Sequence, residues 1–408
     1  MKDKELYAQL LGLQEPWFVN DFRLDVAGKR VDVWLEHGDG KLWPCPECGN
    51  AQTIYDHAEE RVWRHLDSCG FGTYVHARIP RVDCPEHEVK QVRVSWAESQ
   101  ARFTKLFERF AIDVLQQCDV SGSMSILNIS WKEAWHIKER AVARGRARKA
   151  RAVVPKIGVD EKAIAKGHKY MTLVCDIERG VVEYVTEERK KESLEGYFKG
   201  LTDEQKTGIK AVAMDMWEPF FQATKDHVPE AEKKIVHDRF HIDKHMTEAV
   251  DLVRKQEHRA LLKAGDETLS GSKYLWLYGK ENIPDNRKKE FAALKAQDLK
   301  VGRAWILKEH LRRFWGFVEL GPAKRFWKKW YFWATHSRLE PVKKVAAMIK
   351  NHLANVLTYF THRITNAVSE GLNSKIATIQ KMAYGFRNPE NFKTAIYFHC
   401  GGLDLYPC

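Results

Sequence analysis

The chain has 408 residues, of which 44% are hydrophobic and 30% are charged, and its formal net charge is +12. This length and composition are typical of a soluble protein with two or three domains, and the positive charge favours a polyanionic partner. No run of 18 apolar residues is present and the start of the chain is charged, so we expect no membrane partner, no signal peptide and a cytoplasmic location.

Residues 1–40 are predicted to contain an N-terminal helix and a β-hairpin. The stretch DFRLDVAGKRVDVWLE (21–36) alternates between apolar and polar side chains and is interrupted by Ala27 and Gly28. Such alternation around a glycine-containing turn indicates two antiparallel strands.

Residues 41–100 are predicted to form a zinc-binding module. They contain a Cys-x-x-Cys pair and a Cys-x-x-His pair, and structural zinc prefers a closed tetrahedral set of such ligands. The four candidate zinc ligands are Cys45, Cys48, Cys84 and His87. Cys69 lies between the two pairs and is an alternative ligand. The eight cysteines are not spaced as a secreted disulfide framework, and the other interpretation is a small β-domain with reduced thiols.

Residues 101–150 are predicted to form a helix-turn-helix domain that binds DNA. Helical patterns cover residues 103–117 and 119–129, and Ser130 with Glu133 fits a capping box at the start of a third helix. A helix that enters a major groove needs cations to hold phosphates. The candidate DNA-contacting residues are Lys132, Lys138, Arg140, Arg144, Arg146 and Arg148. The alternative is a plain three-helix bundle with a solvated basic face.

From residue 151 the pattern changes to alternating strands and helices. Three strands, a helix, a strand, a helix and a fifth strand follow in this order, which is typical of an α/β ribonuclease-H-like sheet. The predicted strands cover residues 156–162, 170–177, 180–188, 209–215 and 233–238, and the predicted helices cover residues 191–201 and 218–228. We assign residues 151–241 to the first part of this domain, residues 242–360 to an all-α insertion, and residues 361–408 to the last helix of the domain, which ends near residue 381, and a C-terminal tail.

Three acidic residues are candidates for a catalytic metal site. Asp160 is predicted to end the first strand and Asp215 the fourth, and these strands are neighbours in a ribonuclease-H-like sheet, so their carboxylates would converge. Glu370 on the last helix is the best third acid. Three acids in this arrangement hold two Mg²⁺ or Mn²⁺ ions for the cleavage of a phosphodiester. Taken singly, each acid is better explained by a helix cap, a strand-end turn or a salt bridge. Weaker candidates for the metal are Glu161, Glu218 and Glu390.

Four stretches of the chain resemble the DDE transposases of the insertion-sequence L-three (ISL-three) family. They are GVDEKAIAKGHKY, AMDMWEPF, HDRFHIDKHMTEAVD and SEGLNSKIATIQKMAYGFRN. The order of zinc module, helix-turn-helix, catalytic domain and helical insertion is also similar, so the resemblance covers essentially the whole chain. It implies that Asp160, Asp215 and Glu370 form the catalytic triad. The family's zinc module usually ends in a second Cys-x-x-Cys, and the Cys84-x-x-His87 pair found here leaves the exact ligand set open.

The resemblance implies a bacterial enzyme that acts on double-stranded DNA. Such a transposase binds the terminal inverted repeats of an insertion sequence, cuts the DNA by hydrolysis and joins the 3′-hydroxyls to target DNA. Two ends must be brought together, so we expect a homodimer or a larger assembly on nucleoid DNA. The alternatives are a catalytically inactive DNA-binding regulator and a structure-specific nuclease without strand transfer.

Asp238 and His241 are predicted to support the catalytic site. Their spacing is similar to a Cys/Asp-x-x-His signature of DDE transposases with insertions. His241 would contact the scissile phosphate or hold the insertion against the core, and the alternative for Asp238 is a helix N-cap.

Two further groups of side chains are candidates for contacts with DNA. Lys375 and Lys381 follow the third acid and would either meet phosphates or lie on a solvated helix face. The stretch 305–338 interleaves tryptophans with cations, a pattern that suits the stacking of unpaired bases. Its tryptophans at 327, 330 and 333 are spaced by three, however, and this spacing is more typical of a helix core.

Overall fold

The computed structural model describes residues 3–150, 152–165 and 169–408, so residues 166–168 of the stretch GVDEKAIAKGHKY lie outside the described residues. Contacts between its residues divide the chain into two units. The first unit contains the described residues of 1–150 together with 382–386 and 390–408, and the second contains those of 151–381 together with 387–389.

The first unit begins with a β-sheet module. Its elements are α1 (Asp3–Leu10), β1 (Trp17–Asp25), β2 (Arg30–His37), β3 (Trp43–Pro44), β4 (Ala51–Gln52), β5 (Ile54–Ser68), β6 (Phe71–Cys84) and β7 (Glu88–Gln91). Strands β1, β2, β6 and β5 lie side by side in this order, β7 pairs with β6, and β3 pairs with β4 in a separate sheet. The predicted hairpin is confirmed by the antiparallel pairing of β1 with β2. Val33, Val75 and Trp63 form a buried cross-strand row in the core, as alternation along a strand predicts.

Three helices follow in the first unit: α2 (Lys105–Gln117), α3 (Val120–Leu127) and α4 (Trp131–Arg148). Thr104, Asp119 and Ser130 precede them as N-caps, and each of these side chains accepts a hydrogen bond from a backbone N–H of the first turn. Ser130 and Glu133 form the predicted capping box. Asn128 adopts the left-handed backbone conformation that ends α3 and turns the chain towards α4.

The C-terminal segment completes the first unit. Helix α18 (Pro389–Cys400) is followed by a tail that lies along α2 and α4. The Arg148 guanidinium donates to the backbone oxygen of Tyr406 at 2.6 Å, and the Tyr406 hydroxyl donates to the Asp113 carboxylate at 2.6 Å. The tail is therefore bonded to both helices.

This arrangement differs from the sequence analysis, which grouped residues 361–408 together and placed no helix after residue 381. Residues 390–408 cluster with the first unit instead. The apolar residues of α18, which include Phe392 and Ile396, are buried. A local pattern does not identify the surface that covers such residues, so the sequence alone could not assign this helix.

The second unit contains a five-stranded mixed sheet. Its strands are β8 (Lys156–Ala165), β9 (Lys169–Asp176), β10 (Val181–Glu187), β11 (Ala211–Met214) and β12 (Ile235–His237), and its helices are α5 (Lys191–Lys199), α6 (Asp203–Gly208), α7 (Glu218–His227) and α8 (Ala231–Lys234). The strand order is β10-β9-β8-β11-β12, with antiparallel pairing up to β8 and parallel pairing beyond it. The predicted strands and helices therefore occur in the predicted order, with two additional short helices.

One boundary of this sheet was predicted wrongly. Asp160 does not end its strand, because β8 continues to Ala165 and stays paired with β9 along this extension. The extension belongs to a two-stranded hairpin that projects past β11, whose pairing with β8 stops at Gly158. Asp160 therefore lies inside a strand, at the point where one of its two neighbours ends.

The rest of the second unit is helical among the described residues. Its helices are α9 (Arg239–Lys263), α10 (Lys273–Leu277), α11 (Lys288–Ala296), α12 (Lys300–Phe314), α13 (Leu320–Thr335), α14 (Glu340–Asn351), α15 (Leu353–Leu357), α16 (Tyr359–His362) and α17 (Ala367–Met382). Trp327 and Trp330 belong to the buried core of these helices, whereas Trp333 is 43% exposed. The core interpretation of the tryptophan stripe is thus confirmed at two of three positions. None of the described helices is sufficiently long and apolar to cross a membrane.

Candidate functional site

The structure brings the four predicted zinc ligands together. Their ligand atoms all lie within 4.8 Å of one another, with 3.7 Å between the sulfurs of Cys48 and Cys84 and 3.5 Å from Cys84 Sγ to His87 Nδ1. A tetrahedral zinc ion with bonds of about 2.3 Å holds its ligand atoms about 3.7 Å apart. Cys69 is exposed and is not part of the set. The residues present therefore fit a zinc ion.

Short turns position the two ligand pairs. Cys45 exchanges backbone hydrogen bonds with the segment that follows it, to Gly49 and Asn50, both at 2.9 Å, and Gly49 adopts a positive φ of 77°. The backbone N–H of Cys48 lowers the pKa of the Cys45 thiol to about 7. This turn favours the thiolate form that binds metal.

Asp160 and Asp215 lie on neighbouring strands of the second unit. Strands β8 and β11 are parallel, with Gly158 opposite Ala213, so each acid stands two residues beyond this matched pair. Each carboxylate accepts the next backbone N–H, at 2.9 Å for Asp160 and 2.6 Å for Asp215. The two acids are therefore held at the same edge of the sheet, as the sequence predicts.

Other side chains occupy the second oxygen of each acid. Asn373 Nδ2 donates to Asp160 Oδ2 at 2.7 Å, and His241 Nδ1 lies 3.4 Å from Asp215 Oδ2. Sequence reasoning did not identify Asn373, although it follows Glu370 by three positions on α17 and therefore shares its face of the helix. This spacing is the signal that would have found it.

Glu370 lies in the first turn of α17, and the start of this helix is tied to the sheet. Asn366 donates its backbone N–H to Asp238 Oδ1 at 3.3 Å and its side-chain amide to the Val159 carbonyl at 3.2 Å. A Cβ at Gly158 would come within 2.4 Å of Ser369 Oγ, so the close approach of α17 requires a glycine there.

Asp238 occupies the N-cap position of α9, but its side chain does not cap that helix. The predicted N-cap alternative therefore applies to its position and not to its side chain. Its carboxylate reaches across to the start of α17, where it accepts the Asn366 N–H. Asp238 thus couples the strand-end segment to the helix that carries Glu370.

Burial raises the proton affinity of Asp160 and Glu370. Burial raises the pKa of Asp160 to about 6, and the charges of Glu161 and Asp215 act in the same direction. Burial and the charge of Asp238 raise the pKa of Glu370. A group of buried carboxylates with raised pKa values is destabilised by its own charge and favours the binding of a cation.

Several oxygens in this group have no hydrogen-bond partner among the described residues. They are Glu370 Oε1, Asp238 Oδ2, Glu161 Oε2 and Asn373 Oδ1. Oxygen ligands of this kind suit Mg²⁺ or Mn²⁺. In the described part of the chain, only the zinc ligands form a set of three or more within 4.8 Å, so the acids are spread more widely. Mg²⁺ commonly keeps waters and binds substrate phosphates alongside one or two carboxylates, so the acid group fits this ion.

A pocket of about 330 Å³ opens beside Glu370. Its walls are formed by Asp238, Arg239, Phe240, Asp243, Arg312, Trp315, Thr365, Ala367 and Glu370. Asp243 accepts a hydrogen bond from Trp315 Nε1 at 3.3 Å, and its burial raises its pKa to about 6. The helical insertion therefore contributes walls to the space beside the third acid.

The predicted DNA-contacting cations fall into two groups. Lys132, Arg146, Lys375 and Lys381 are exposed. Lys138 and Arg144 have side chains turned into the first unit, where burial lowers the pKa of Lys138 to about 8. Arg140 and Arg144 both donate to the Glu98 carboxylate, and Arg144 also pairs with the buried Glu108. Arg148 pairs with the Asp404 carboxylate, so three of the six third-helix cations are paired with carboxylates of the first unit.

Two protein-family models match the chain. One, described as "Transposase", matches residues 157–396, and one described as "zinc-finger of transposase IS204/IS1001/IS1096/IS1165" matches residues 41–87. The chain is 27% identical to the transposase for insertion sequence element IS1557 of Mycobacterium tuberculosis, over 96% of this chain and 94% of that relative. It is 25% identical to the transposase for insertion sequence element IS1001 of Bordetella parapertussis, over 90% of each. The first of these ranges contains the three acids, and the second contains the four zinc ligands.

Proposed function

Because the chain belongs to the ISL-three family of transposases, we propose that it cuts and joins DNA at the ends of an insertion sequence, with Asp160, Asp215 and Glu370 as metal ligands. The observation that carries this proposal is that Asp160 and Asp215 share one edge of the sheet and that α17, the helix of Glu370, reaches Asp160 through the hydrogen bond from Asn373. The strand order β10-β9-β8-β11-β12 supports a ribonuclease-H-like domain for this chemistry.

In this proposal Asp160, Asp215 and Glu370 would hold two Mg²⁺ or Mn²⁺ ions, which would activate the attacking oxygen and stabilise the leaving oxygen of the phosphodiester. The chain's own side chains orient the acids. Asn373 fixes the rotamer of Asp160 through its 2.7 Å hydrogen bond, and Asp238 fixes the start of the helix that carries Glu370. His241 lies 3.4 Å from the Asp215 carboxylate and would contact the scissile phosphate in this proposal.

The first unit is proposed to bind the terminal inverted repeats. Helices α2 to α4 would act as a helix-turn-helix, with the exposed Lys132 and Arg146 as phosphate contacts, and the zinc module would stabilise the fold beside them. Lys375 and Lys381 on α17 would hold DNA close to the acids. The protein would work as a homodimer or larger assembly on nucleoid DNA in the bacterial cytoplasm, since two ends are joined in one event.

The direct test incubates purified protein with DNA that carries the element's ends and with Mg²⁺ or Mn²⁺, and maps both cuts and joins. The proposal is supported if the wild-type protein cuts and joins the DNA and Asp160→Asn does neither. A protein that binds the ends without cutting them would be a DNA-binding regulator. A protein that cuts but does not join precut 3′-hydroxyl ends would be a structure-specific nuclease.

A further inference from the structure

The side chain of Arg189 is held between two aromatic rings at the edge of the acid site. Its guanidinium carbon lies 4.2 Å from the ring centre of Tyr170 and 4.6 Å from that of Trp217. Trp217 Nε1 also donates to the backbone oxygen of Arg189 at 3.0 Å. The rings and this hydrogen bond fix the orientation of the guanidinium plane before any ligand arrives.

The strand directions place Arg189 at the edge that carries the acids. Strand β10 runs antiparallel to β9, which runs antiparallel to β8, so β8, β10 and β11 all end at one edge of the sheet. Arg189 follows the end of β10 by two residues, and Trp217 follows Asp215 by two. The unusual tryptophan after the second acid is thus part of the support of an arginine.

A single long contact links Arg189 to an acid. Its Nη1 lies 3.4 Å from Glu161 Oε1, and its side chain remains one-third exposed. Glu161 is next to Asp160 in the chain, and burial and the charge of Asp215 both raise its pKa. A guanidinium has five N–H donors in a planar fork, so one long contact leaves most of them available to a ligand.

We propose that Arg189 binds a backbone phosphate of the DNA strand that enters the acid site, which rests on the proposed function. A phosphate is the ligand that a fixed planar fork binds in a bidentate manner. Carboxylates repel phosphates, so a positive charge at the same edge favours the approach of the strand. Arg189 supplies that charge from a stacked and partly exposed position at the same edge.

The test compares Arg189→Met with Arg179→Met, a matched control at an exposed arginine in the β9–β10 turn, at the opposite edge of the sheet. We expect Arg189→Met to lower kcat/KM for cleavage of end DNA by about ten- to hundred-fold, as the loss of a charge-assisted bidentate contact does, with an unchanged melting temperature. Arg189→Lys should recover only part of the activity. Equal activity of the two methionine variants would overturn the proposal.

Substrates with a neutral methylphosphonate at one backbone position identify the contact. At the backbone position that Arg189 contacts, the methylphosphonate should weaken DNA binding by the wild-type protein. It should not weaken binding by Arg189→Met any further. Equal losses for both proteins at every position would overturn the proposal.

The alternative is a structural role, in which Arg189 only balances the charge of Glu161. Binding measurements in a Glu161→Gln background distinguish this role from a phosphate contact. A phosphate contact predicts that Arg189→Met weakens end binding by the same factor in both backgrounds. A counter-ion role predicts that the effect disappears. These binding assays do not need turnover. They therefore also test the phosphate contact of Arg189 if the wild-type protein fails to cut and the proposed function is wrong.

Discussion

Charged and ligand-forming side chains are arranged in opposite ways in the two units of the chain. In the first unit, the cysteines and His87 lie at metal-binding distances from one another, and the Arg144 guanidinium is paired with Glu98 and Glu108. In the second unit, the acids stand apart and several of their oxygens have no partner among the described residues. The closed arrangement suits a role in stability, whereas the open one leaves capacity for ions and phosphates that arrive from outside.

The loss of zinc from the first unit should have the largest effect. We expect one zinc per chain, and we expect Cys45→Ser to lose it and to unfold the module at residues 41–100 while the second unit stays folded. Zinc binding contributes about 10–16 kcal/mol in small zinc peptides. Metal analysis and limited proteolysis of the variant measure this, and freshly purified wild-type protein without zinc would contradict it.

Neutral substitutions of the three acids test the open arrangement of the second unit. Asp160→Asn, Asp215→Asn and Glu370→Gln should each slow cleavage and joining by about 1000-fold or more, because an amide binds Mg²⁺ far more weakly than a carboxylate does. End binding should persist or tighten slightly, since each variant removes a charge that repels phosphate. Cleavage and binding are measured side by side, and near-normal cutting by one variant would remove that residue from the site.

Arg144→Met should destabilise the first unit by about 3 kcal/mol, because it removes the close partner of the buried Glu108 carboxylate and leaves only Arg140, whose Nε lies 4.0 Å away. Denaturant unfolding of the variant measures the change. A stable variant with weakened DNA affinity would instead assign Arg144 to the DNA interface. It would contradict the contrast between the two units.

Asn373→Ala should lower the cleavage rate by about ten- to hundred-fold, as the loss of a residue that orients a metal ligand does. Binding of end DNA should not change. Ser374→Ala, at the next and exposed position of α17, is the matched control. Equal rates for the two variants would mean that Asp160 is oriented without this hydrogen bond.

The smallest effect is expected at Lys132, which is exposed in the first turn of α4. If it contacts one phosphate, Lys132→Ala should reduce the slope of log K against log salt by about 0.9. Titrations at several salt concentrations measure the slope, and Lys105→Ala on α2 is the control. An unchanged slope would leave the solvated-face interpretation of α4.

The sequence predicted those features that depend on neighbouring residues. The hairpin around Ala27 and Gly28, the capping box at Ser130, and the order of strands and helices from residue 156 were all confirmed. Each follows from turn chemistry, capping or periodicity within a short window. The close spacing of each ligand pair similarly allowed the zinc set to be recognised.

Features that depend on distant packing were not predicted. Asn373 contacts Asp160 from more than two hundred positions away, and the partners of Arg144 include the backbone of Leu405. A basic residue looks the same in a sequence whether it faces solvent or a buried carboxylate. Tertiary contacts with Glu98, Glu108 and the C-terminal segment decide this for Arg144.

That C-terminal segment also has a consequence for synthesis. A ribosome produces Glu370 and the segment that lies along α2 and α4 after the zinc ligands, because both follow those ligands in the chain. A nascent chain that stops before residue 366 would carry the zinc ligands but would lack the third acid and the partner of Arg148 at Tyr406. Termination before residue 366 would therefore leave both the first unit and the acid site incomplete.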